Sequence, residues 1–270
     1  MRTINTKKAL GVAIDAAHAA GEVMRKNFHL PKKINETQPH DIKLELDVRC
    51  QKLIEKKLRA AAPGYAILGE EGIFGDPLST DRWVVDPIDG TVNFTYGIPH
   101  ACVSIALQHR RAKLPRTHPD ADFETVVGVV YDPFTDEIFT AVKGGPAKVN
   151  GRKIAVSTRT RLEESIISIG FAKSAASLER MLPQFNTLVH KVRKIRIMGA
   201  AALAMVYVAA GRFDAYVEGG IRLWDIAAGG LILECAGGDF YRQPIEGDHA
   251  YRIIANNGRL RKKLQEIAGE

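Results

Sequence analysis

The chain has 270 residues, 46% of them hydrophobic and 26% charged, with a formal net charge of +7. That composition suits a globular protein of one large domain or two modest lobes. No apolar run reaches the roughly 20 residues of a membrane span, and Met1-Arg2-Thr3-Ile4-Asn5 lacks a secretory core, so no membrane role is expected and the expected compartment is the cytoplasm.

The three cysteines, Cys50, Cys102 and Cys235, are far apart; their odd number argues against a disulfide framework, and they are expected as buried small hydrophobes. The eight histidines show no pair spaced i, i+4, which argues against a soft-metal site. Net positive charge fits an anionic ligand and nucleic acid alike. The basic runs Arg110, Arg111, Lys113, Arg116 and Lys191, Arg193, Lys194, Arg196 carry no interleaved aromatics, so they are expected as solvated surface, and nucleic-acid binding is not favoured.

From 6 to 28, apolar residues recur at three and four (Leu10, Ala13, Ile14, Ala17, Gly21, Met24, Phe28), predicting an amphipathic helix stopped by Pro31. A second helix is predicted over 46–61, with Asp47 in its first turn and Pro63-Gly64 beyond its end. Short strands at 65–68 and 83–85 each run into an acidic turn, Gly69-Glu70-Glu71-Gly72 and Asp86-Pro87-Ile88-Asp89-Gly90. Strands at 102–108, 126–131 and 137–142 predict antiparallel sheet, and 109–124 reads as a long charged surface loop. Beyond the turn Asn150-Gly151 the pattern alternates: strand 165–169, helix 175–190, strand 194–197, helix 200–210, strand 213–217, helix 224–235, strand 251–255 and helix 258–268. The expected architecture is α/β, an α+β half over 1–150 and an α/β half over 151–270, sharing an interface as one compact unit.

Four acids stand where burial is hard to avoid: Glu70, Asp86 and Asp89 after apolar strands, and Asp225 beside Trp224 at the start of an alanine-rich helix. A single buried carboxylate is usually neutralised by Arg or Lys, but several that converge suit a hard divalent cation. In Asp86-Pro87-Ile88-Asp89-Gly90-Thr91 the proline predicts a turn aiming both carboxylates at one point, with the Ile88 carbonyl between them; oxygen-only ligation favours Mg²⁺. Gly90 and Thr91 would open a helical turn whose amides and hydroxyl attract a phosphate.

Asp86-Pro87-Ile88-Asp89-Gly90-Thr91-Val92-Asn93-Phe94 resembles the first motif of the inositol monophosphatase family, and Trp224-Asp225-Ile226-Ala227-Ala228-Gly229 resembles its second. Gly69-Glu70-Glu71, Gly128-Val129-Val130-Tyr131-Asp132-Pro133, Asn150-Gly151 and Ala236-Gly237-Gly238 are similar to further landmarks, so the likeness runs from Leu10 to Asn256. The resemblance implies a layered αβαβα sandwich and a lithium-sensitive, homodimeric Mg²⁺ phosphatase. Glu70, Asp86, the Ile88 carbonyl, Asp89 and Asp225 would bind two or three Mg²⁺ ions. It also implies that Glu70 and Thr91 position the attacking water, that Asp47 bonds the Thr91 hydroxyl, and that Gly90 and Thr91 amides hold phosphate. Substrate contacts would come from Asp89, Asp225, Ala201 through its backbone, and Glu218 on substrate hydroxyls; without the likeness, Asp47 reads as an exposed first-turn acid and Glu218 as a strand-end surface carboxylate.

Two positions depart from the family pattern. Leu44 in Asp41-Ile42-Lys43-Leu44-Glu45-Leu46-Asp47 replaces a threonine, which favours two metals over three, and Gly199-Ala200-Ala201-Ala202 lacks a hydroxyl that could cap a helix. Thr91-Val92-Asn93-Phe94 resembles the inositol branch, so the expected reaction is hydrolysis of myo-inositol 1-phosphate. Fructose 1,6-bisphosphate, 3′-phosphonucleotides and histidinol phosphate are the alternative substrates. An RNA- or protein-complex-binding role with secondary phosphatase activity is the alternative of a different class.

Overall fold

The computed structural model describes residues 5–38, 41–76, 79–111, 118, 120–171 and 175–268. Helix α1, Thr6–Asn27, starts where the Asn5 side chain accepts from the Lys7 amide at 2.8 Å. Up to Met24 its buried stripe is small (Ala9, Ala13, Ala16, Ala17, Ala20, Gly21), so the helix lies close on its neighbours there, and a side chain at Gly21 would collide with Tyr131. The helix closes at Asn27, where Lys32 Nζ donates to the carbonyls of Asn27, Phe28 and Leu30 at 2.8, 2.6 and 2.7 Å, satisfying groups a helix end leaves open. A small antiparallel hairpin, β1 Ile34–Gln38 and β2 Asp41–Leu44, precedes α2, Glu45–Ala61; its weak alternation gives no strand signal.

The large sheet holds β3 Ala66–Gly69, β4 Gly72–Phe74, β5 Asp81–Asp89, β6 Cys102–Arg110, β7 Phe123–Asp132, β8 Glu137–Val142, β9 Lys148–Val149 and β10 Arg152–Lys153, with the short helix α3, Thr91–Thr95, between β5 and β6. Its order is β10-β9-β8-β7-β6-β5-β3-β4, antiparallel except for β3 beside β5. Side chains alternate between two cores. Trp83, Val85, Val103, Ile105, Leu107, Val127 and Val129 pack toward α1 and α2, while Val84, Cys102, Ala106 and Val130 belong to the opposite core. The turn at Asn150 and Gly151 has positive φ at both residues (47° and 78°), the geometry of a tight hairpin between β9 and β10.

The 109–124 surface loop needs correction. β6 continues to Arg110 and β7 begins at Phe123, and Asp120 and Asp122 are buried because they neutralise Arg82 and Arg110 at 2.7 and 2.8 Å. Arg110 is therefore paired rather than simply solvated; Lys113 and Arg116 lie outside the described residues. Lys191, Arg193, Lys194 and Arg196 are exposed as expected. Cys50 and Cys102 are fully buried, whereas Cys235 is half-buried.

The second sheet comprises β11 Ile166–Ile169, β12 Lys194–Arg196, β13 Ala215–Arg222, β14 Asp239–Pro244 and β15 Ala250–Asn256, in the order β12-β11-β13-β15-β14. β12, β11 and β13 run parallel, and β15 and β14 add antiparallel strands. Helices α4, Ala175–Lys191, and α7, Arg261–Ala268, cover one face, with Met181, Leu188 and Leu264 packed on Ile167, Val217 and Ile254. Helices α5, Ala201–Ala209, and α6, Leu223–Cys235, lie between the two sheets; both are apolar nearly all round, as a helix enclosed on every side must be. The result is the expected αβαβα layering. Gly128 permits it: a Cβ there would stand 2.8 Å from the Ala228 carbonyl oxygen of α6.

Candidate metal centre

Asp86 and Asp89 are three residues apart, and in a regular strand an odd spacing sends side chains to opposite faces. The expected proline turn is instead a bulge within β5. Asp86 pairs with Ser104 and Asp89 with Cys102, so three steps on β5 oppose two on β6, with Pro87 in the bulge where its missing N–H costs no ladder bond. The extra residue returns Asp89 to the face of Asp86, toward α5 and α6, while Ile88 joins Val85 in the opposite core. The Asp86 side chain fixes the bulge by accepting from the Ile88 amide at 3.0 Å.

Asp225 arrives from the other half of the chain. It is the third residue of α6, and one of its oxygens accepts from the Arg222 amide at 2.9 Å, satisfying an open donor at the helix start. Ligand oxygens of Asp86, Asp89 and Asp225 all lie within 4.8 Å of one another. Among the described residues no lysine or arginine pairs with any of the three.

The helix without a capping hydroxyl is capped from outside: Ala201 and Ala202, the first two residues of α5, donate to Asp89 Oδ1 and Oδ2 at 3.1 and 2.7 Å. Burial pushes the Asp89 carboxyl up to about 6, offset in part by these amides. Burial, then the charge of Asp89, takes Asp225 to about 7, and Asp86 stands well above the carboxylate range through burial and the charges of Glu70, Asp89 and Asp225. Two buried carboxylates, Asp86 and Asp89, and the half-buried Asp225 repel one another and fit a hard divalent cation, which would relieve the cost of ionising them.

The remaining predicted residues surround this trio. Glu70 follows β3, its amide on the Val85 carbonyl at 3.1 Å, and its charge acts on Asp86. Gly90 starts α3 at φ 91°, and a Cβ there would lie 2.9 Å from the His100 carbonyl oxygen, so shape and conformation both require glycine. Thr91 Oγ1 donates to the Ile88 carbonyl at 2.9 Å. Asp47 is buried rather than an exposed first-turn acid, and accepts from the Leu44 amide at 2.8 Å. The Ala201 amide is engaged by Asp89, which leaves only its other atoms to face a ligand. Glu218 is half-buried on β13, and its charge adds to those acting on Asp225.

Three neighbours escaped the sequence reading. Cys102 directs its thiol at Asp89 (3.6 Å), Ser104 donates to the Trp224 carbonyl at 3.1 Å beside Asp225, and the buried Tyr216 donates to Glu218. Strand periodicity places Tyr216 and Glu218 on one face, the one signal available for any of them.

The profile of the inositol monophosphatase family matches residues 5–268. The chain belongs to the inositol monophosphatase family. It is 36% identical over 275 residues to inositol monophosphatase 1 of Solanum lycopersicum, covering 98% of this chain and 96% of that one. It is 38% identical over 270 residues to the Nus factor SuhB of Pseudomonas aeruginosa, covering 94% and 93%. The crystal structure of the extragenic suppressor protein suhB from Bartonella henselae superposes with a TM-score of 0.85 at 34% identity, over 97% of this chain and 99% of that one. Membership in the inositol monophosphatase family implies a phosphatase, a hydrolase of phosphate monoesters, and the family is generally metal-dependent.

Proposed function

We propose that this chain hydrolyses a sugar or cyclitol phosphate monoester with Mg²⁺, and that myo-inositol 1-phosphate is its substrate. The observation that carries this reading is the convergence of Asp86, Asp89 and Asp225 from two halves of the chain with no basic partner among the described residues. Asp86, Asp89 and Asp225, with Glu70 and the Ile88 carbonyl, hold the ions, two of them. When bound, Mg²⁺ polarises the phosphoryl oxygens, acidifies a water and offsets charge on the leaving alkoxide. Glu70 and Thr91 orient the attacking water, and the Gly90 and Thr91 amides bind the phosphate. Glu218 accepts hydrogen bonds from hydroxyls of the leaving group. Phosphate release from a panel of inositol, sugar, nucleotide and histidinol phosphates, with and without Mg²⁺, tests the reading. The expected result is Mg²⁺-dependent release with myo-inositol 1-phosphate preferred; a clear preference for another ester would sink the inositol assignment.

A homodimer belongs to the same proposal. Val92, Tyr96, Ile98 and Ile197 expose an apolar surface, and Asn93 joins its two segments by donating to the carbonyls of His100 and Met198 at 2.9 and 2.8 Å. Light scattering across a dilution series checks it: a mass twice that of the chain is expected, and a monomer at all concentrations would exclude it.

The exposed basic edge formed by Lys191, Arg193, Lys194 and Arg196, together with relatives carrying the name Nus factor SuhB, favours a second reading in which the chain also binds RNA. A strongly salt-dependent gel shift that survives Asp89→Asn supports it; no shift at low salt removes it.

A further inference from the structure

Glu218 is not an isolated surface acid. It sits on β13 opposite Ile253, and the strand is irregular immediately beyond it, between Gly219 and Ile221, with Gly220 at φ 93°. Two residues earlier on the same face, Tyr216 is 3% exposed and donates its hydroxyl to a Glu218 carboxylate oxygen. From the neighbouring strand, Gly170 follows β11 and donates its amide to the Val217 carbonyl at 3.0 Å, which brings its Cα under the Glu218 side chain. A Cβ at Gly170 would overlap both carboxylate oxygens of Glu218. Gly170 has no left-handed backbone angle, so close approach, not conformation, is what requires glycine there.

We propose that Tyr216 and Gly170 are positioning residues that fix the Glu218 carboxylate for a hydroxyl-bearing leaving group; the proposal rests on the phosphatase reading above. The Tyr216 hydroxyl occupies one lone-pair direction of the carboxylate, and the bare Cα of Gly170 leaves room for the carboxylate to lie back against β11. A flexible glutamate held in this way loses less conformational freedom on meeting its ligand. Substrate selectivity is then set by residues that never touch the substrate. Because the atom that would collide with an alanine at 170 is the far end of a flexible side chain, Gly170→Ala moves Glu218 and leaves the fold intact.

Steady-state kinetics on the full chain with Mg²⁺ test this, using myo-inositol 1-phosphate beside p-nitrophenyl phosphate, whose leaving group has no further hydroxyl. Tyr216→Phe and Gly170→Ala should each raise KM for the polyol ester roughly 10-fold, with its kcat and both constants for the aryl ester within about twofold. Tyr216→Phe combined with Glu218→Ala should be no worse than Glu218→Ala alone, since the tyrosine acts through the glutamate. Equal losses on both esters, additive losses in the double variant, or no change in KM would each overturn the proposal. A wild-type chain that hydrolyses neither ester would overturn the phosphatase reading and this proposal with it, whereas normal wild-type turnover with unchanged variants overturns this proposal alone.

Discussion

Ala202 donates its amide to Asp89 Oδ2 at 2.7 Å, so the carboxylate that closes the β5 bulge also caps a helix 113 residues further along the chain. One side chain therefore joins the two halves and occupies the centre of the acidic site. Asp89→Asn should separate the consequences. It keeps one acceptor for the α5 amides but removes the charge a cation needs, so Mg²⁺ affinity or kcat should fall by more than the roughly 10- to 100-fold typical of changes one shell outside a metal. Calorimetric Mg²⁺ titration with parallel kinetics checks this; near-normal metal binding would remove Asp89 from the ligand set.

The raised carboxyls of Asp89, at about 6, and Asp225, at about 7, give the metal-free protein a pH dependence with a definite sign. Between the unfolded value near 4 and these folded values, the folded state holds protons that the unfolded state has released, so this contribution to stability is full at low pH and is lost as pH rises. Chelated protein should melt at least about 3 °C lower at about pH 7.5 than at about pH 5. Mg²⁺ should reverse the difference by binding the ionised form. Melting curves at the two pH values, with and without Mg²⁺, read it directly.

Asp120 has the opposite sign. Burial alone would raise its carboxyl, but the His249 hydrogen bond and the Arg82 charge hold it below the usual range, so its contribution is lost only as pH falls through the acid region. Arg82 is fully buried, 2.7 Å from Asp120 and 3.7 Å above the Phe123 ring, with a second bond to Gln108 at 2.9 Å. Asp120→Ala would remove the carboxylate that neutralises that buried guanidinium, at a cost of about 3–5 kcal/mol. Urea denaturation of the variant measures it; a loss of under about 1 kcal/mol would show that water reaches Arg82.

Gly128→Ala tests the seating of α6. A Cβ 2.8 Å from the Ala228 carbonyl oxygen meets backbone, which cannot swing away, so about 1–3 kcal/mol of stability should be lost. Asp225 rides on the same helix, so Mg²⁺ affinity should weaken together with stability. A stable variant whose metal affinity is unchanged would show that the sheet, not the helix, yields.

What the sequence makes legible is local. The period of α1, the apolar runs of β5, β6 and β7, the hairpin pair at Asn150 and Gly151, and the two acidic motifs follow from short-range pattern. The bulge is not legible, because Asp-Pro-Ile-Asp reads as a turn until the pairing with Cys102 and Ser104 is known. Nor is Asp120, whose burial depends on an arginine 38 residues away; a charged, proline-rich segment otherwise reads as solvent-exposed. Asp47 reads as a surface acid because its place in a helix first turn does not show that it is buried; its Leu44 partner is local. For the bulge and for Asp120 the missing information is a long-range partner that changes what a polar residue is for.

The most direct test of the acidic site is a Mg²⁺ titration of phosphate release from myo-inositol 1-phosphate by chelator-stripped protein. No release without the ion, saturable activation with it, and near-complete loss in Asp86→Asn at the same Mg²⁺ concentration is the result predicted. Release that is indifferent to chelation, or that persists in Asp86→Asn, would contradict a metal-centred site built from Asp86, Asp89 and Asp225.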